Sequence, residues 1–62
     1  MKCTEMIKKV KKRGWFLSRV KGSHYHFKHP VITGLVTVPF HKSKELNIGT
    51  LHSIARSAGI HL

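Results

Sequence analysis

Gly22-Ser23-His24-Tyr25-His26-Phe27 is the stretch that decides how this chain folds. Glycine can turn the backbone through conformations closed to other residues. Histidines and aromatics then alternate. On a strand, period two sends His24, His26 and Lys28 to one face and Tyr25 and Phe27 to the other. The aromatic pair then faces a core. The histidines face water, or whatever approaches from it.

Upstream, Trp15 to Val20 is rich in strand formers, and Lys21-Gly22 is the turn signal that joins it to a second strand, Ser23 to Lys28. Earlier still, Cys3, Met6, Ile7, Val10 and Gly14 follow helical spacing, so residues 3–13 read as a helix that Gly14 stops. Glu5 is spaced to pair with Lys8 or Lys9. Downstream, His29-Pro30 ends the second strand, because proline cannot donate to a ladder. Leu35 to Pro39 is a third strand, with Val36 and Val38 inward and Thr37 opposite. Phe40 to Asn47 is a polar loop. Asn47 caps a second helix whose apolar stripe is Leu51, Ile54, Ala55 and Ala58, and Gly59 ends it. Ile60 and Leu62 are expected to fold back onto the core. The order α-β-β-β-α predicts an α+β fold, with two helices on one face of a three-stranded antiparallel sheet.

Sixty-two residues make one domain, 1–62, with a small core. Twelve Lys and Arg stand against two acids, for a formal charge of +10. Residues 1–21 hold eight of the bases and Glu5, a net of +7. Such a chain is most simply a nucleic-acid binder, although an acidic protein or a membrane surface would also attract it. The acid count excludes paired-carboxylate catalysis and the carboxylate cages that hold Mg²⁺ in many nucleases. A phosphodiester cut by this chain must be cut with histidine, cations and backbone. Cys3 is alone, so no internal disulfide forms, and on the apolar stripe it reads as a buried, inert thiol. No stretch is apolar enough for a membrane span or signal sequence, so the cytoplasm is the expected compartment.

The chain resembles the HicA toxin family of toxin–antitoxin pairs. The resemblance runs from Glu5-Met6-Ile7 through Gly14-Trp15 and Arg19 to Gly22-Ser23-His24 with Phe27. It continues through Val36-Thr37-Val38-Pro39 and His41, then Ile48-Gly49-Thr50-Leu51, Ile54, Arg56 and Ala58-Gly59-Ile60. It implies a fold like the double-stranded-RNA-binding domain and ribonuclease activity on messenger RNA that arrests growth. It also implies a HicB antitoxin that masks the active region, and no metal or other cofactor. The catalytic histidine of the family falls on His24.

Metal-free RNA cleavage uses the RNA's own 2′-hydroxyl. It needs a base for that proton, charge stabilisation at the phosphorane and an acid for the leaving 5′-oxygen. Histidine serves as either proton carrier near neutrality. His24 is the expected carrier, with Arg19, Lys21 and Lys28 supplying charge and Ser23 positioning phosphate. His26 or His41 is the second carrier. Lys8 and Lys12 on the first helix either grip RNA or form a solvated face. Trp15 reads as core and Tyr25 as an anchor, with base stacking the alternative. His24, His26 and His29 are the only grouping that suggests a metal, and Pro30 redirects the chain at the third. The alternative function is a non-catalytic RNA-binding module of the same fold. The second helix starts Asn47-Ile48-Gly49-Thr50, without the lysine cluster of duplex-RNA binders, which argues against that module and against duplex substrates. A DNA-reading face of Thr50, His52, Ser53, Arg56 and Ser57 is thin.

Overall fold

The structure, a computed structural model, describes residues 1–41 and 45–62. Lys42, Ser43 and Lys44 of the expected polar loop lie outside the described residues. The elements are α1 (Cys3–Lys12), β1 (Phe16–Lys21), β2 (His24–Lys28), β3 (Val36–Pro39) and α2 (Ile48–Ala58). The strands form one antiparallel sheet in the order β1-β2-β3. Element order, sheet type and the one-sided helix layer agree with the sequence reading. Boundaries differ by a residue or so: Trp15 precedes the first strand, and Leu35 precedes the third.

The core lies between the helices and one face of the sheet. Cys3, Met6 and Val10 of α1, Phe27 of β2, Val36 and Val38 of β3, and Ile54 and Ala58 of α2 are buried together with Trp15. These are the positions that helical spacing on α1 and α2 and period two on the strands assign inward. Cys3 is buried as expected, and its Sγ donates to the His41 carbonyl at 3.2 Å. Ile60 packs against the core, but Leu62 is 56% exposed. The chain leaves the core after Ile60, and the expected return of Leu62 does not occur.

Trp15 ties three segments together. Its indole Nε1 donates to the Ala58 carbonyl at 3.1 Å, satisfying an end carbonyl of α2. The His29 ring meets it edge-on, with centroids 5.2 Å apart. His29 Nδ1 accepts from the backbone N–H groups of Val31 and Ile32, each at 3.0 Å, which organises the turn after Pro30. The imidazole belongs to this corner and not to a cluster with His24 and His26. Among the described residues no three His, Cys, Asp or Glu side chains converge.

At the other end, Asn47 caps α2 as read from the sequence, its Oδ1 accepting from Gly49 N–H at 2.8 Å. The N-terminal ammonium of Met1 donates to Glu45 at 2.8 Å, and that hydrogen bond and charge hold the Glu45 carboxyl below its usual range. The stabilisation is present above the ordinary carboxylate range and is lost as pH falls through the lowered value. Among the described residues Glu5 makes no ion pair, and Met1–Glu45 is the only one.

Gly14 and Gly22 both have positive φ, at 105° and 59°. A methyl group at Gly14 would lie 2.8 Å from His29 Nε2, whereas one at Gly22 would meet nothing within 4 Å. Gly22→Ala should therefore cost only the backbone term, about 1 kcal/mol. Gly14→Ala should cost roughly 2–4 kcal/mol, because it adds an overpacked contact with His29. Urea unfolding of the two variants checks the order, and equal losses would contradict the packing of His29 on Gly14.

Candidate active face on the open side of the sheet

Among the described residues, only one face of the sheet is covered. Register decides what the other carries, because residues directly opposite in an antiparallel pair share a face. On the helix side, Leu17, Phe27 and Val36 form one row, and Val20, Tyr25 and Val38 the next. On the open side, Lys21, His24 and Pro39 form one row, and Arg19, His26 and Thr37 the next. Phe16 sits across from Lys28. The histidines thus lie on the central strand, flanked by bases on one side and by Thr37 and Pro39 on the other.

A β-bulge makes this arrangement. The register slips between Leu17 and Arg19, so that Leu17 faces Phe27 while Arg19 faces His26. Regular alternation would put Leu17, Arg19 and Lys21 on one face. The extra residue, Ser18, turns Arg19 and Lys21 to the open side together with Phe16, and leaves Leu17 and Val20 on the helix side. Strict period two would not give this arrangement, and no residue in the stretch signals the bulge. The helices pack over β3 and the centre of the sheet, so β1 overhangs; Leu17 and Val20 stay 42% and 49% exposed.

Turn geometry holds His24 in place. Lys21 pairs with His24, so Gly22-Ser23 is a two-residue loop, and Gly22 supplies the positive φ that such loops demand. Phe40 N–H donates to the Ser23 carbonyl at 2.6 Å, which extends the β2–β3 pairing past His24. Tyr25 points to the helix side, half-buried, its ring 4.9 Å from that of Phe40. It is an anchor and not a stacking platform on the histidine face.

The two imidazoles differ in setting. His24 is exposed and His26 half-buried. Their ring centroids are 6.5 Å apart, tilted by 54°. His26 Nδ1 shares a 2.9 Å hydrogen bond with Thr37 Oγ1, its direction set by the tautomer. The bond orients the ring and leaves Nε2 as the free nitrogen. Thr37 is a partner that the sequence analysis placed on the right face without assigning it a role.

Charge on this face is uncompensated. Arg19, Lys21 and Lys28 are exposed beside the histidines, Glu45 is engaged with Met1, and Glu5 lies on α1. Ser23 lies in the turn next to His24. His41 lies two residues past Pro39, and its carbonyl accepts from Cys3 Sγ. Lys8 and Lys12 sit on the exposed side of α1, across the sheet from the histidines.

Residues 3–60 match the HicA toxin of bacterial toxin–antitoxin systems. The chain belongs to the HicA toxin family. As a HicA toxin it is one half of a toxin–antitoxin pair, and an antitoxin is its implied partner. No curated protein matches the chain. Among the described residues, no helix is long and apolar enough to cross a membrane.

The His26–Thr37 bond is directly observable. Thr37→Val should release the His26 ring and move its imidazole ¹⁵N shifts toward those of a free histidine, while Thr37→Ser should keep them. Identical spectra for the wild type and Thr37→Val would contradict the bond.

Proposed function

We propose that this HicA toxin is an endoribonuclease that cuts messenger RNA in the cytoplasm without a metal, and that a HicB-type antitoxin inhibits it by covering the open face. The observation that carries the reading is a pair of imidazoles 6.5 Å apart on a cationic sheet face that holds neither of the chain's two acids.

The chemistry follows from the groups present. One imidazole takes the proton from the 2′-hydroxyl as its oxygen bonds to phosphorus. The other gives a proton to the 5′-oxygen as the P–O5′ bond breaks, leaving a 2′,3′-cyclic phosphate and a 5′-hydroxyl. Two rings at this spacing can flank one phosphorane, so each reaches a different oxygen. His24, exposed and first after the turn, is the main proton carrier. His26, oriented by Thr37 with Nε2 free, is the second. Arg19, next to His26, and Lys21, next to His24, stabilise the charge on the phosphorane, and Lys28 extends the cationic row. Ser23 is suited to hold a phosphate oxygen at the turn. An open, shallow face of this kind suits a single strand, whose phosphates and bases are accessible together. His41, just past the end of β3, is the alternative second carrier.

The antitoxin reading rests on the family and on charge. A partner that neutralises this face removes the substrate's electrostatic attraction as well as its access.

Purified protein incubated with RNA and EDTA should cleave it. His24→Ala should lower the rate by about 100-fold or more, the usual scale of acid–base catalysis. Because His24 is exposed, the unfolding curve should not move. Wild-type cleavage rates in His24→Ala would sink the assignment. RNA binding by the wild type without cleavage would favour the RNA-binding module instead.

A further inference from the structure

α1 and α2 end at the same corner, on the side of the molecule away from the histidine face. An open groove of about 360 Å³ lies there, lined by Lys9, Lys12, Arg13, Gly59, Ile60 and His61. It is a concave site with a strongly one-signed lining. Arg13 follows the last turn of α1, and its side chain lies along the left-handed cap of α2. A methyl group at Gly59 would sit 3.5 Å from both Nε and Nη2 of Arg13. Those distances are ordinary van der Waals contact, so glycine at Gly59 answers to its left-handed φ of 73° and not to the guanidinium. The Arg13 side chain is exposed, and its guanidinium lies beside the α2 cap at the groove.

Helix dipoles account for part of this charge. Each helix C-terminus carries about −0.5 elementary charge, so two of them offset about one cation. Lys9, Lys12 and Arg13 supply three. Glu5, one turn before Lys9, makes no ion pair with it among the described residues. A surplus of about two positive charges therefore remains at the groove. That matches two phosphodiesters, and the fork of a guanidinium suits paired phosphate oxygens.

We propose that this groove is a second RNA-binding site, which holds backbone phosphates of the substrate strand at a distance from the cut. The inference rests on the reading of the protein as acting on RNA. RNA is favoured over an acidic peptide because the same polymer is already required on the sheet face, and the molecule is only 17 Å through its thinnest axis. A strand leaving the histidines can round the edge and enter the groove.

The test is equilibrium binding of a fluorescent oligouridine to the full chain carrying His24→Ala, followed by anisotropy through a salt titration. Each phosphate contact on a single strand contributes about 0.7 to the slope of log K against log salt. Combining Lys12→Gln with Arg13→Gln should lower the slope by about 1.4 and weaken binding about 25-fold near 0.1 M salt. Lys9→Gln with Lys12→Gln replaces only exposed side chains and should do the same, which guards against a folding defect at Arg13. Lys2→Gln with Lys11→Gln removes the same charge outside the groove and should change binding far less. Equal losses in that control would overturn the proposal. So would unchanged RNA binding accompanied by lost binding of a polyglutamate peptide, which would give the groove to an acidic protein. Failure of the ribonuclease reading shows separately, as wild-type protein that leaves RNA intact.

Discussion

Two helices can cover only one face of a three-stranded sheet, and the rest of this molecule depends on that constraint. Phe27, Val36 and Val38 meet Met6, Val10 and Ile54 on the covered side. This layer is the core, and in so short a chain there is not enough apolar surface for a second. The opposite face must therefore be polar and wet. His24, His26, Arg19, Lys21 and Lys28 can stand there without a burial penalty, and without the acids that would pair with them in a core. The cationic character of the face and the stability of the fold are two consequences of the same one-sided packing.

Local devices then refine the face. The bulge at Ser18 brings Arg19 and Lys21 round to the histidines. The Gly22-Ser23 turn fixes where the central strand begins. Thr37 orients His26 across the β2–β3 pairing. Away from the face, Trp15 links the end of α2 to the His29 turn, so the corner between α1 and β1 is braced by one indole. These contacts are few, and each joins segments far apart in the chain.

Charge sets the relation to partners. A formal +10 on 62 residues leaves most bases without an internal partner, and self-repulsion opposes compaction. An anionic partner relieves both problems. Membership of a toxin–antitoxin family implies an antitoxin partner, and the proposed RNA substrate is an anionic one. The overhanging β1, apolar at Leu17 and Val20, is consistent with a chain whose surface is completed by something it binds.

Much of the fold was legible in the residues. Alternation from His24 to Lys28, helical spacing at Cys3, Met6 and Val10 and again at Ile54, Ala55 and Ala58, and Asn47 and Gly59 as helix ends are local signals, and local backbone preference settles them. The face on which His24 and His26 lie was legible for the same reason. The resemblance to a known family, and not the period, singled out His24. Other features waited for the tertiary structure. The bulge is invisible because Ser18 fits a regular strand as well as a bulged one, and only pairing with β2 decides between them. Thr37 reached His26, His29 turned to Trp15, and Leu62 left the core through contacts between segments distant in sequence. Lys8 and Lys12 parted from the histidines because α1 lies across the sheet from them. A sequence states what each short segment prefers; which segments meet, and with which side, depends on how the whole chain shares one small core.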